Sequence, residues 1–551
     1  MATKVREISP PIRKLYQAFL LGKRKSVKKE EENAIIVNEV VGAMALFYER
    51  IRNLMNDAEE HLFRKSSIER YLTRRFFFKS FSLREFRGKN GHDYEIDLYT
   101  EWSKTLISDL IRARYLPNKI IPESKIGELA WIMKKHHILR ESLLSYVPQW
   151  YRKELNNFIL NLLASEIEES LVKNEFLSAQ VGSLYELLHG RVNIVSKVLT
   201  PEEKDIQLYI AVLKTILKAD VGLLRYHLFL LYFPQWHTVR ESDLQNIILH
   251  FVKGARQIDH EIGREINLLI VAKIKPFAVS YHVLREFSEE DPEEAYRQIQ
   301  IPQEFKKKVG QVLDKHYRKV RLRLIRNVWR SVVYIFVTKM IVAFLLEFPY
   351  DLYVTHKVNY TALAINVFFP PFLMFLLTIT VQISAKKNTE QVLLLLNKII
   401  FKETLDAISL RIRPRVKWGF LLRNTFRIFY FAIYAIIFFV IIRILRQLEF
   451  NLVNIIIFIF FLFIISFFSM RIRILAKDMI IIPRKENIFT LILDVIGIPI
   501  VRAGRWLNNR LSRINIFIFF LDFFIEAPFK FFVTLIEGWT GYLKEKKEEV
   551  Y

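Results

Sequence analysis

Charged and apolar residues are distributed unevenly along this chain of 551 residues. Up to about residue 325 the sequence is rich in charge and has helical periodicity, whereas later segments are dominated by Phe, Ile, Leu and Val. Residues 453–470 contain no charged side chain at all. A helix needs about 20 mostly apolar residues to cross the hydrocarbon core of a bilayer. The second half of the chain therefore predicts a membrane-spanning protein.

Four segments are predicted to span the bilayer: residues 329–346, 362–383, 426–445 and 452–470. Lys and Arg collect on the cytoplasmic side of membrane proteins. They are abundant before the first span, between the second and third, and after the fourth, which predicts an inner-membrane protein with both termini in the cytoplasm. The arginines expected to contact anionic phospholipid headgroups are Arg321, Arg323, Arg326, Arg411, Arg413, Arg415, Arg471 and Arg473.

The fold class predicted from these patterns is all-α, with four regions. Residues 1–32 read as a basic disordered leader, and residues 33–325 as a cytoplasmic helical domain, either a bundle or a solenoid-like stack. Residues 326–485 form the four-span domain, with a basic amphipathic cytoplasmic connector at 384–425. Residues 486–551 are expected to form re-entrant or interfacial amphipathic helices and a charged tail. A helix starting at Pro302 is expected to continue into the first span, with a hinge near Asn327 as the alternative.

Composition excludes several classes of function. The chain has no cysteine, which rules out disulfides, thiolate metal sites and a cysteine nucleophile. The net charge of +25 suits either nucleic acid or a membrane surface. The apolar second half favours the membrane, so the expected partners are the lipid bilayer, its anionic headgroups and a cytoplasmic protein.

Lys339 is the first candidate for a functional site, because a charge inside a span costs a few kcal/mol unless it faces protein or water. As a functional residue it would form an ion, proton or lipid-headgroup site with Asp494 or Glu347 as counter-ion. In the alternative interpretation the span begins later and Lys339 reaches the interface.

Two further features of the apolar half are candidates. Pro370 and Pro371 lie within the second span, where they are expected to break the helix and free backbone carbonyls. Asp522 shares one helical face with Glu526 and Lys530 among phenylalanines, a pattern typical of a helix in the bilayer surface.

Histidines provide no convincing metal site. Glu186 and His189 have the spacing of a di-iron helix, but the chain has no second copy of that spacing. His136–His137 is an isolated pair, and His260 lacks the second histidine of a zinc hydrolase. We therefore expect surface or core histidines, no metal and no cofactor. No phosphate loop, dinucleotide fingerprint, kinase motif or nucleophile elbow is present, so we expect no enzyme.

Several short blocks resemble a family of bacterial polytopic helical membrane proteins with no known activity. The blocks lie at residues 48–53, 60–62, 74–75, 111–118 and 365–371. The resemblance implies a shared helical architecture over most of the chain, and it supplies no functional residue. Independently, the tripeptide Pro-Gln-Trp occurs at residues 148–150 and 234–236, which suggests an internal duplication.

Together these observations predict a non-enzymatic scaffold or interaction protein that couples a cytoplasmic helical domain to the membrane. A transporter or channel that uses Lys339 and the Pro370–Pro371 break is the alternative.

Overall fold

The computed structural model describes most of the chain. The described residues are 7–27, 34–37, 60–77, 91–172, 174–195, 199–289, 291–354, 356, 358–379, 385–413, 419–476, 480–481, 502, 506 and 539. The chain divides into two compact units. The amino-terminal unit comprises Met1–Tyr296, Lys398–Pro414 and Ile518–Tyr551. The second unit comprises Arg297–Asn397 and Arg415–Phe517, and we call it the span unit because it holds the four predicted spans.

The described residues are mostly helical, which confirms the all-α class at this level. The first eleven helices are α1 Pro10–Val27, α2 Glu60–Leu72, α3 Gly91–Arg112, α4 Ser124–Tyr146, α5 Arg152–Leu171, α6 Glu175–Leu188, α7 Pro201–Ile216, α8 Val221–Tyr232, α9 Leu244–Gly263, α10 Ile266–Ser288 and α11 Pro292–Ile299. The remaining helices are α12 Pro302–Val342, α13 Phe348–Tyr353, α14 Tyr360–Ile379, α15 Ala385–Ile400, α16 Phe420–Gln447 and α17 Leu452–Ala476.

Three helices of the amino-terminal unit are capped at their starts by short polar side chains. Thr200 and Glu203 form a reciprocal capping box, in which Thr200 Oγ1 accepts from Glu203 N at 3.2 Å and Glu203 Oε2 accepts from Thr200 N at 3.0 Å. Asn174 and Asp220 cap α6 and α8 through single side-chain oxygens. Each cap satisfies a backbone N–H group that has no partner within its own helix.

The segment expected to be a disordered leader contains a packed helix instead. Ile12, Leu15, Tyr16 and Phe19 are each at most 1 % exposed, and their i, i+3, i+4, i+7 spacing makes one apolar stripe along α1. The Tyr16 hydroxyl lies 2.6 Å from Ser288 Oγ, at the end of α10. The prediction was wrong for residues 10–27, because burial of this stripe outweighs the basic run that follows it.

A small parallel sheet brings part of the connector into the amino-terminal unit. Strand β1 (Val192–Ile194) pairs in parallel with β2 (Leu410–Ile412). Nearby, Ser9 Oγ donates to the Ile399 carbonyl at 2.7 Å, and Lys402 N donates to the Glu7 carbonyl at 3.0 Å. The expected assignment of 384–425 to the membrane domain therefore fails for residues 398–414, which group with the amino-terminal unit.

The boundary between the units also differs from the expected one. The amino-terminal unit ends at Tyr296 rather than at residue 325, and α12 belongs entirely to the span unit. This helix of 41 residues passes Asn327 without interruption, so the structure has a continuous helix there and no hinge.

The four predicted spans coincide with apolar helices of the span unit. Residues 302–353 and 420–447 form helices long and apolar enough to cross a membrane, whereas α14 and α17 are apolar over shorter described stretches. A third helix of sufficient length and apolarity is α10, which was not predicted as a span. Half of its apolar window is buried in the protein, and the backbone carbonyl of Tyr281 within it accepts a hydrogen bond from Gln180 at 2.7 Å. This environment is that of a core helix in the amino-terminal unit.

Candidate functional site

A single π-helical turn aligns two charged residues of the span unit. Lys339 lies in α12, and Glu347 ends the π-helical segment Ala343–Glu347 that follows α12. Two ordinary helical turns take about 7.2 residues, and one π-type turn lengthens this to about 8. The eight-residue spacing therefore places Glu347 directly above Lys339 on the same helical face. An uninterrupted α-helix would rotate the two side chains apart.

Lys339 and Glu347 form a fully buried ion pair. Both side chains have no exposed surface, and Lys339 Nζ donates to Glu347 Oε1. Asn366 of α14 donates from Nδ2 to Glu347 Oε2 at 2.9 Å, so each carboxylate oxygen has a donor. Lys339 Nζ also lies 4.8 Å from the centre of the Phe461 ring of α17, a cation–π contact. The cluster therefore joins α12, α14 and α17 at one level.

A second polar group lies one helical turn further along the same face. Asp351 of α13 is 2 % exposed and accepts from Asn451 Nδ2. Asn454 Nδ2 lies 3.4 Å from Asp351 Oδ2. Asn451 in turn caps α17, because its Oδ1 accepts from Asn454 N at 2.8 Å. These contacts hold the start of α17 against α13.

The Lys339 cluster is suited to holding helices together. Its two charges neutralise each other, and neither side chain has surface that a solute could touch without a movement of the helices. The groove along α12 exposes almost only apolar atoms, and Lys339 is not among the residues that line it, which are Trp329, Arg330, Val333, Tyr334 and Val337. Removing one partner of such a pair costs about 3–5 kcal/mol, because the other charge is then buried alone.

The other predicted intramembrane residues have mixed outcomes. Pro370 and Pro371 are both buried within α14, which is assigned as one helix from Tyr360 to Ile379, so the expected break is absent. The prolines still lack N–H groups, which leaves the carbonyls of Asn366 and Val367 without their usual intrahelical donors. Asp494 and Asp522 lie outside the described residues.

The arginines predicted to contact lipid are partly described. Arg321, Arg323 and Arg326 are exposed along α12. Arg411 is exposed on β2 while Ile412 beside it is buried, the alternation expected of a strand, and Arg413 is exposed just after it. Arg415 and the side chains of Arg471 and Arg473 lie outside the described residues.

The amino-terminal unit contains its own buried ionic cluster, centred on Glu166 of α5. Glu166 accepts from Lys135 Nζ at 2.5 Å and from Trp236 Nε1 at 2.8 Å. His136 lies 3.5 Å from the same carboxylate, and its Nδ1 is 2.9 Å from the Ile132 carbonyl. Burial lowers the pKa of His136 to about 4, although Glu166 acts in the opposite direction. His136 is therefore neutral at physiological pH.

The remaining histidine motifs do not assemble into a site. Glu186 pairs with Lys14 at 2.8 Å, whereas His189 faces Asp205 at 3.4 Å. His137 is buried, and burial lowers its pKa to about 4. Within the described part of the chain, no three His, Asp or Glu side chains are grouped to hold a metal ion.

Sequence reasoning missed most partners of Lys339. Asn366 was detectable, because an amide within an apolar run of a span is itself expensive unless it is hydrogen-bonded. Phe461 is one of many phenylalanines in α17, and nothing in the sequence distinguishes it. Asp351 follows the first predicted span and Asn454 lies inside the fourth, at residues 452–470, and neither position indicates by itself that the two side chains meet.

Comparison with protein-family models, curated proteins and solved structures finds no match to this chain. The resemblance to a bacterial membrane family therefore stays a prediction, and the functional argument rests on the geometry of the chain itself.

Proposed function

We propose that this chain is an integral protein of the inner membrane that acts as a non-enzymatic scaffold. In this proposal α12, α14, α16 and α17 span the bilayer, and the amino-terminal unit offers a cytoplasmic surface to a protein partner. The observation that carries the proposal is the Lys339–Glu347 pair, the strongest intramembrane candidate from the sequence. The pair is neutral and closed to solvent within one continuous helix, and the contacts of Glu347 with Asn366 and of Lys339 with Phe461 connect that helix to α14 and α17.

An intramembrane charged group that takes part in transport must be reached by water or the solute from at least one side. Lys339 and Glu347 have no exposed surface and satisfy each other, with Asn366 as the third member. Such a cluster holds three spans at fixed positions relative to one another. A scaffold for other proteins needs this rigidity.

The β1–β2 pairing supports the proposed topology. Strand β1 lies before the spans and β2 lies after α14, yet the two strands are hydrogen-bonded. Both strands must be on one side of the bilayer, so the chain between them crosses an even number of times. Two crossings, through α12 and α14, fit this requirement and agree with the exposed arginines ahead of the apolar part of α12 and on β2.

Topology is testable because the chain has no cysteine, so any introduced thiol is unique. Ser409→Cys and Glu449→Cys place thiols at exposed positions, beside β2 and in the turn between α16 and α17. A membrane-impermeant maleimide should label position 449 in intact cells, and position 409 only after the membrane is opened. Labelling of both positions from outside would contradict the proposed topology.

Flux measurements separate a scaffold from a transporter. Purified protein in liposomes should conduct protons, Na⁺, K⁺ and Cl⁻ no faster than protein-free vesicles do. The matched variant Lys339→Met/Glu347→Gln should give the same traces. A flux that the natural chain supports and the variant abolishes would refute the scaffold and establish transport through the cluster.

Partner binding is tested on the full chain in native membranes. Photo-cross-linking groups on the exposed face of the amino-terminal unit should capture one recurring protein, and the same groups on the lipid-facing side of α16 should not. Equal capture from both positions would contradict a specific cytoplasmic surface.

A further inference from the structure

The two Pro-Gln-Trp tripeptides have opposite environments. Trp236, in the 3₁₀ turn Pro234–His237, has no exposed surface, and its Nε1 donates to Glu166. Trp150, in the turn between α4 and α5, is 72 % exposed. A large aromatic side chain in this position adds nothing to the core, and exposed Trp is characteristic of binding surfaces and membrane interfaces.

The exposure of Trp150 is imposed by a well-fixed turn. Val147 and Tyr151 on either side of it are buried. Val147 N donates to the Leu143 carbonyl at 3.1 Å, and Tyr151 N donates to the Pro148 carbonyl at 3.0 Å. The backbone is therefore anchored in the core at both ends, and Trp150 is held outward.

Trp150 belongs to a surface with a distinct composition, which we call the aromatic-basic tip. The ring of Trp150 lies 5.7 Å from that of Tyr151, and the guanidinium of Arg256 lies 4.8 Å from the same Tyr151 ring. Tyr146, at the end of α4, is 81 % exposed. The tip is defined as Tyr146, Trp150, Arg152, Lys153 and Arg256, all of them exposed. The neighbouring carboxylate of Glu154 offsets one of its three cations.

We propose that the aromatic-basic tip docks on the anionic phospholipid surface of the bilayer. Trp and Tyr prefer the headgroup region, where the ring is partly apolar and the polar atom stays hydrated. Each Lys or Arg near an anionic surface adds about a fivefold preference. The proposal rests on the membrane location proposed above.

Because the amino-terminal unit is tethered to the spans, the small aromatic-basic tip is sufficient for docking on the bilayer. A soluble domain with two exposed aromatic residues and three cations would bind vesicles weakly, because association has a large entropic cost. A unit already attached to spans meets the bilayer at a high effective concentration, so each additional contact acts within one molecule. A protein partner or a second copy of this chain is the competing occupant, and the experiment separates them.

The experiment uses full-length protein in nanodiscs, whose two faces are both open to solutes. Gln149→Cys carries an environment-sensitive fluorophore at the tip, and Ile120→Cys, 59 % exposed in the turn before the opposite end of α4, carries it at a control position. Discs contain either phosphatidylcholine alone or phosphatidylcholine with phosphatidylglycerol. In anionic discs the label at 149 should shift to the blue and be protected from iodide quenching. The label at 120 should respond equally in both kinds of disc.

Two further variants test the chemistry of the tip in the Gln149→Cys background. Tyr146→Ala/Trp150→Ala should abolish the protection; both residues are exposed, so the fold is retained. Arg152→Gln/Lys153→Gln should reduce the docked-to-undocked ratio roughly 30-fold, from the loss of two cations.

Three outcomes would overturn the proposal. Protection that does not depend on phosphatidylglycerol would exclude an anionic surface. Protection that appears only when discs hold two copies would assign the tip to an interface between chains. A label at 149 that stays fully quenchable in correctly loaded discs would remove the tip from the membrane while leaving the spans in place. Failure of the protein to enter discs would instead contradict the membrane location itself.

Discussion

Replacing the charged residues of the buried Lys339–Glu347 pair gives the sharpest prediction about the span unit. Three variants are needed: Lys339→Met, Glu347→Gln and the two together. Either single change leaves one charge with no counter-ion at a site with no solvent contact. Each should therefore lower the free energy of unfolding by about 3–5 kcal/mol.

The double variant should be far less destabilised than its parents. With both charges removed, Asn366 keeps an acceptor, because the amide introduced by Glu347→Gln offers a carbonyl oxygen where Oε2 now accepts at 2.9 Å. The two N–H groups of the new amide face the introduced methionine and have no oxygen partner, and leaving this amino group buried and unpaired costs about 1–3 kcal/mol. Two independent substitutions would add to about 6–10 kcal/mol, so the coupling between the sites should be at least about 3 kcal/mol.

Unfolding in mixed micelles of dodecyl maltoside and SDS, followed by circular dichroism, measures these differences. Val337→Met serves as the control, because Val337 lies half a turn from Lys339 and is 48 % exposed. It should change the free energy of unfolding by no more than about 0.5 kcal/mol. Additive effects of the two charge substitutions would refute the reasoning, because they would mean that the two side chains do not meet in the folded protein.

Three predictions concern the amino-terminal unit. Trp236→Ala should cost about 3–5 kcal/mol in thermal or urea unfolding, whereas Trp150→Ala should stay within about 0.5 kcal/mol, and equal costs would contradict the assigned burial. His136 has a folded pKa of about 4, below its usual 6.5, so the unfolded chain binds more protons between these values. The stability of the natural chain relative to His136→Gln should therefore fall as pH drops from 6.5 to 4; a difference independent of pH would exclude a buried neutral imidazole. Thr200→Ala removes the hydroxyl that accepts from Glu203 N and should cost about 1 kcal/mol in thermal or urea unfolding, and an unchanged free energy of unfolding would contradict the cap.

The sequence was a reliable guide where a residue conflicted with its surroundings. Lys339 was found because a cation interrupts an apolar run, and Glu347 was one of two suggested counter-ions. The choice between them depended on the π-helical turn, and residues 343–347 contain no glycine or proline that would indicate such a turn. A spacing of eight residues does not by itself bring two side chains of an α-helix together.

Other features depended on tertiary context. The apolar stripe of α1 is legible in the sequence, but the basic run beyond it favoured disorder, and only the packing against Ser183 and Ser288 decides between the two. The Pro-Gln-Trp repeats show the same limit. The two tripeptides are identical, but Trp236 is buried and donates to the Glu166 carboxylate, whereas Trp150 lies in an exposed turn.

The parallel pairing of β1 with β2 has a consequence for synthesis of the protein. Residues 192–194 leave the ribosome long before residues 410–412, and at about 5–20 residues per second the interval is about 10–40 s. During that time the amino-terminal unit lacks its second strand and, in the proposed topology, the chain segments that become α12 and α14 enter the membrane. In the proposed topology the β1–β2 sheet of this unit therefore forms only after α12 and α14 have entered the membrane. A fragment ending at residue 325 would lack β2.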